Sequence, residues 1–162
     1  MPINQLFDNI TYASIATGIQ PNYNLPFLKV DEHSHLKDKI IIHRTFRYRN
    51  DFINYKFLND YQNIYFIGIE EEFLDLKKEI KNLNLYDCKN FLDMASIIKS
   101  SKVVIANSSI GWAIAEGLDK PRLLESCPYF PACQPHGLNA FNFYFQPHFE
   151  NLFEKLIKTK TK

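Results

Sequence analysis

From Lys39 onward, apolar and polar positions fall into short alternating blocks. Ile40-Ile41-Ile42 is a β-branched run, the pattern of a strand buried on both faces. A polar, arginine-rich loop follows, and a helix is expected around Asp51–Tyr61. Asn63-Ile64-Tyr65-Phe66-Ile67 predicts a second buried strand, closed by Gly68. Phe73, Leu76, Ile80 and Leu83 then recur at helical spacing, with Glu70, Glu71 and Glu72 in the first turn, where the helix dipole favours anions. A short strand is expected near Leu85-Tyr86. Asn90 is placed to cap a helix carrying Phe91, Met94, Ala95 and Ile98 on one side.

Val103-Val104-Ile105-Ala106 predicts another strand. Ser108 or Ser109 is then placed to cap a helix through Ala113 and Ala115, stopped by Gly117 and Pro121. Leu123-Leu124 begins one more strand. The aromatic stretch after it reads as a loop, and Phe149–Lys158 as a final amphipathic helix. Before Lys39 the pattern is weaker: a short helix near Ile10–Thr17 ended by Gly18, then an extended segment imposed by Pro21 and Pro26. Strand and helix alternating through short links predict an α/β domain of three layers, Rossmann-like, with a mostly parallel sheet. The expected organisation is a single domain over residues 1–162, with 1–38 as an N-terminal extension and 158–162 as a frayed tail.

Composition narrows the function classes. At 162 residues and 46% apolar content, one globular domain with a real core is expected. The net charge of +1 creates no global field for nucleic acid or a membrane surface. No apolar run approaches the roughly 20 residues that span a bilayer. With no basic start followed by an apolar stretch, no signal peptide is read, and a cytoplasmic location is expected. Cys88, Cys127 and Cys133 make no even framework and no Cys-x-x-Cys pair, which fits reduced thiols.

Ligands of open parallel sheets bind at the carboxyl ends of strands, where strand order reverses. Two segments fit that location. The first is His43-Arg44-Thr45-Phe46-Arg47-Tyr48-Arg49-Asn50, which holds three of the four arginines in the chain. Guanidinium groups grip phosphate oxygens bidentately and keep their charge. Three arginines on one loop cannot all point one way, so one or two are expected to reach a ligand and another to pair with a carboxylate, Glu70–Glu72 included. The second segment is Asn107-Ser108-Ser109-Ile110-Gly111. A strand-to-helix turn leaves helical N–H groups open to an anion, two hydroxyls stand beside them, and Gly111 is expected to leave room for the ligand. Plain N-capping by either serine is the structural alternative.

The stretch from Asp93 to Glu125, through Ala95-Ser96-Ile97-Ile98, Val103–Ser109, Ala113–Leu118 and Pro121–Glu125, resembles the heptosyltransferase-like glycosyltransferases (family nine) of the GT-B fold. The resemblance covers about residues 39–125. It implies the C-terminal, donor-binding half of such an enzyme. It also implies that the Asn107–Ser109 turn holds a donor diphosphate and that the strand end near His43–Arg47 adds a cationic contact. Asn107 stands where that family usually has Asp, Ser109 where it has Gly, and Trp112 where it has His.

Two functional expectations follow. In one, the chain binds a nucleotide-sugar through Arg44, Arg47, Ser108 and Ser109, with Glu116 orienting a ribose or sugar hydroxyl. Turnover then requires an acceptor-domain partner chain or a homodimer to complete the cleft. The catalytic residues are not identified, and no metal or other cofactor is expected. In the other, the chain is a non-catalytic binding or interaction module derived from a glycosyltransferase, with Trp112, Tyr129 and Phe130 as docking aromatics. Metal binding through His33, His35, Cys127, Cys133 and His136 lacks the spacing of structural zinc sites. The Arg47-Tyr48-Arg49 segment has no RNA-binding motif beside it, so no nucleic-acid partner is expected. Neither a nucleophile elbow nor a P-loop is present.

Overall fold

Strand residues two apart share a face, and this sequence fills both faces with apolar side chains. In the computed structural model, which describes residues 8–23, 25–33 and 36–158, six strands form one sheet: β1 (Ile40–His43), β2 (Ile64–Ile67), β3 (Asn84–Tyr86), β4 (Val103–Asn107), β5 (Arg122–Glu125) and β6 (Ala140–Phe143). Their order is β3-β2-β1-β4-β5-β6 and every pairing is parallel. This is the strand order of the Rossmann fold. The chain runs outward from β1 through β2 to β3, then returns to place β4 on the other side of β1. The switch point therefore lies between the tips of β1 and β4.

The β-strand period sorts the core into two layers. Ile40, Ile42, Ile64, Phe66, Val103, Ile105 and Leu123 point to one face, where they pack with Leu76 of α2 (Glu70–Lys77) and Phe149, Phe153 and Leu156 of α5 (Gln146–Lys158). Ile41, Ile67, Val104, Ala106 and Leu124 point to the other, against α3 (Phe91–Ser100) and α4 (Ile110–Gly117). Helices on both faces of a parallel sheet make the three-layer α/β architecture expected from the strand and helix alternation.

Local signals set several boundaries. Asn90 accepts the Asp93 N–H and caps α3. In the N-terminal segment, α1 (Asn9–Thr17) is capped by the Asp8 carboxylate and ends at Gly18, whose φ of 71° is the left-handed conformation glycine adopts freely. The Asn9 N–H donates to Ala132 O, and the Phe27 and Leu28 N–H groups both donate to Gly117 O, so this segment is stitched onto α4 and the loop after β5.

Four expectations change. The helix expected over Asp51–Tyr61 is only a 3-10 turn, Lys56–Asp60. Side chains of Asn50, Asn54 and Asn59 hydrogen-bond nearby backbone groups and compete with helical pairing, while the buried Ile53 and Tyr55 are two apart, a spacing that no helix face supplies. α2 stops at Lys77, and Ile80 and Leu83 reach the core from the turns that follow. Phe91, expected on the inner side of α3, is exposed at its first position, and Ile97 is buried instead. The aromatic stretch expected as a loop contains β6, registered with Arg122 opposite Ala140 and Glu125 opposite Phe143. Of the expected frayed tail, residues 159–162 lie outside the described residues.

No described helix is long and apolar enough to cross a membrane. The Phe143 ring stacks on Phe149 at 4.0 Å between centroids, and Phe149 also meets Tyr55 and Phe57 edge-on. Phe149→Ala therefore opens a cavity at the junction of β6, α5 and the 3-10 turn. It is expected to lower unfolding free energy by about 3–5 kcal/mol, read from the midpoint of urea denaturation.

Candidate functional site

The segment after β1 leaves the sheet between the tips of its neighbours, and almost every polar group there is held from below. Arg44 turns inward. Its Nε and Nη2 donate to Glu125 Oε2 and Oε1 at 2.6 and 2.9 Å, and its guanidinium lies over the Tyr55 ring at 4.7 Å. Glu125 has no exposed surface and also accepts from Tyr55 OH (2.7 Å) and Asn50 N (2.7 Å). Burial opposes the Arg44 charge, but the Glu125 carboxylate outweighs that and raises its pKa. Burial and the same carboxylate hold the Tyr55 phenol well above its usual range.

Arg44 was expected as a phosphate contact, but its charge is committed to this buried pair. Arg49 is engaged as well, with Nη1 on Asp75 Oδ2 at 2.5 Å and Nε on Thr45 O at 3.0 Å. The Nη1 hydrogen bond from Arg49, with one from Lys78, holds the Asp75 carboxyl below its usual value. The arginine thus pairs with Asp75 rather than with Glu70–Glu72. Glu72 is buried for a different reason, since its Oε1 accepts the Phe46 N–H at 2.9 Å.

Asn107, at the tip of β4, also serves the loop. Its Oδ1 accepts from Thr45 N (3.1 Å), and its Nδ2 donates to Thr45 O (2.8 Å) and Arg47 O (2.6 Å). The side chain is fully buried. An amide offers a donor and an acceptor together, which an ionised carboxylate in its place cannot do. Asn107 thus ties the β1 loop to the β4 tip, and Arg47 and Ser108 lie on adjoining segments.

His43 is buried, and desolvation lowers its pKa from the ordinary 6.5 to about 4. It is a neutral imidazole at neutral pH, so the cationic contact expected of this strand end falls to Arg47. Nδ1 of His43 lies 2.9 Å from Ser109 Oγ, whose own proton goes to Asn107 O. Gly111 was expected to make room for a ligand. A Cβ there would lie 2.6 Å from the His43 ring, so the missing side chain admits the histidine instead. Ser109 occupies the N-cap position of α4 without a side-chain cap bond, leaving the N–H groups of the first turn without a cap from that residue.

Ser108 lines a groove of about 250 Å³ with Asn9, Tyr48, Phe130 and Cys133. Burial raises the Cys133 thiol pKa, partly offset by the Ser108 hydroxyl. Arg47 is exposed, with its guanidinium 5.1 Å from the Tyr48 ring centre. It lines a second groove, of about 410 Å³, with Phe46, Tyr48, Arg49 and Tyr129. Tyr48 and Phe130 line both grooves and meet edge-to-face at 4.7 Å.

Glu116 is not in this group. It sits near the end of α4, where its two oxygens lie 2.9 Å from Nε and Nη2 of the buried Arg122. Its expected role as a hydroxyl acceptor gives way to that buried ion pair, in which Nη2 makes the hydrogen bond. Trp112, expected as an exposed docking residue, is 3% exposed in the core, whereas Tyr129 and Phe130 are exposed. From sequence, Tyr48 and Asn50 stood only as members of the arginine-rich segment and Glu125 only as the end of the stretch that carries the resemblance, none with a role of its own.

Cys88, Cys127 and Cys133 are free, and burial pushes the Cys88 thiol up to about 12. Among the described residues, no three His, Cys, Asp or Glu side chains converge to hold a metal ion. His33 Nε2 instead meets Tyr86 OH, and His136 Nε2 meets Asp8; His35 lies outside the described residues. No protein-family model matches the chain, and no curated protein matches it significantly.

Two outcomes follow from this geometry. Glu125→Ala strands the Arg44 charge in the interior and is expected to cost about 3–5 kcal/mol in denaturant titration. The second concerns acid. Above pH 6.5 the His43 imidazole is neutral in folded and unfolded chains alike, and nothing is lost. Below it, the unfolded chain takes up a proton that the folded state refuses until about pH 4. Stability attributable to His43 therefore falls as pH drops from 6.5 to 4, by at most about 3 kcal/mol. His43→Gln is expected to flatten that part of the stability curve, measured by thermal melts across the pH range.

Proposed function

We propose that the carboxyl end of the sheet binds the diphosphate of a nucleotide-sugar, as a glycosyltransferase-like donor domain. The observation that carries this reading is that the Asn107 side chain holds the Arg47 carbonyl at the tip of β4, so that a residue with an exposed side chain and the turn into α4 lie on adjoining segments at the switch point. An anion bound across them would meet Arg47 from the β1 loop and the positive end of α4, with the Ser108 hydroxyl on the same turn. Arg44, His43, Asn107 and Ser109 do not touch the ligand in this reading. They shape the floor that presents Arg47 and the α4 turn.

In glycosyl transfer, Arg47 and the α4 N–H groups would stabilise the charge that develops on the departing diphosphate. The acceptor and the base that deprotonates it would come from a partner chain or a second copy. One observation favours a non-catalytic module as the second reading: the residues lining the Ser108 groove include no carboxylate or imidazole to act as a base.

A nucleoside diphosphate (UDP, GDP or ADP) is expected to raise the melting temperature by roughly 5 °C or more at a hundredfold excess over Kd. Arg47→Ala is expected to abolish the rise while leaving the ligand-free melt unchanged, since the side chain is exposed and lies over the Tyr48 ring. Melting curves indifferent to all three nucleotides would sink the reading.

A further inference from the structure

Tyr48 is held where a tyrosine rarely rests. Its φ is 61°, in the left-handed region that a bulky side chain occupies only when its surroundings enforce it. Those surroundings are explicit. Asn107 Nδ2 fixes the carbonyl of Arg47 just before it, and Arg49 just after it is anchored on Asp75 and on Thr45 O. Glycine or asparagine would take this conformation at less cost. The conformation instead sets an aromatic ring as the shared wall of two grooves, with an arginine on either side in the chain.

The larger groove suits a planar ring. Phe46 (52%), Tyr129 (75%) and Phe130 (52%) expose their rings around it, beside Arg47 and Arg49. Its volume of about 410 Å³ lies within the range of small-molecule sites, roughly 300–1,000 Å³. Aromatic rings next to guanidiniums attract π-systems that carry or adjoin negative charge. Asp51, the only carboxylate among the lining residues, repels a phosphate but accepts N–H groups, which every nucleobase edge presents in some form.

We infer that this groove is the base-binding subsite and that Tyr48 determines its preference for a nucleotide over a bare diphosphate. The inference rests on the diphosphate reading above and adds the placement of the ring: base on the Tyr129 side of Tyr48, phosphates towards Arg47 and the Ser108 turn.

The test is isothermal titration of the full chain with UDP, GDP, ADP and inorganic pyrophosphate. Wild type is expected to bind at least one nucleoside diphosphate about tenfold or more tighter than pyrophosphate. Tyr48→Gly, which suits the backbone conformation and removes only the ring, is expected to erase that difference while pyrophosphate affinity stays within about twofold. Tyr48→Phe is expected to keep it. Tyr48→Asn provides a second ring deletion compatible with the backbone. If wild type binds pyrophosphate as tightly as the nucleotides, or if the preference survives in both ring deletions, the base subsite is wrong and the diphosphate reading stands. Absence of binding by all four probes overturns both.

Discussion

The Arg44–Glu125 pair joins the tip of β1 to the tip of β5 across the end of β4, and the face at the carboxyl end of the sheet is built on it. A carboxylate with no solvent contact requires donors in every direction, and Glu125 receives them from Arg44, Tyr55 and the Asn50 amide. Such a pair contributes little net stability compared with apolar packing, because the desolvation cost offsets the attraction. Its consequence is positional. Both ends of the 44–50 loop are anchored to one buried group, and the Asn50 side chain extends the tie to Ser126 O and Tyr144 O, next to β6. Losing one partner while the other stays buried removes the anchor and strands a charge together.

With both ends pinned, the middle of the loop has little freedom. Glu72 takes the Phe46 amide, Asn107 takes Thr45 and the Arg47 carbonyl, and Asp75 takes Arg49. What remains outward is the Phe46 ring and the Arg47 side chain, with the half-buried ring of Tyr48 beside them. The division of labour among the clustered arginines is therefore electrostatic. A carboxylate faces Arg44 and another faces Arg49, while Arg47 keeps its charge for solvent or a ligand. His43 follows the same logic in reverse: desolvation without a carboxylate partner leaves it neutral, a packing group under the α4 turn.

The fold was largely legible in the sequence because its signals are local and repeat. Ile40-Ile41-Ile42 and Val103-Val104-Ile105-Ala106 are apolar on both faces, which only a strand covered on both sides accommodates. Asn90 and Gly18 mark helix ends through their own side-chain and backbone chemistry. The edges were harder. β6 is a four-residue strand whose identity comes from pairing with β5, and an aromatic run looks the same in a loop. The 51–61 segment carries helix-compatible residues, but Asn59 pairs with Glu79 O and Lys81 N, backbone partners that only the fold brings near.

The site divides along the same line. Residue types and their place after a strand determined that arginines, serines and a helix start gather at the carboxyl ends of β1 and β4. Which of them faces outward was decided by tertiary structure alone. Arg44 and Arg47 are chemically identical, and Glu125 lies 81 positions from Arg44, so no local pattern announces their pairing. Glu116 meets Arg122 and Gly111 meets His43 for the same reason. Charge complementarity and steric fit are properties of neighbours in space, and the chain acquires those neighbours only when the sheet closes.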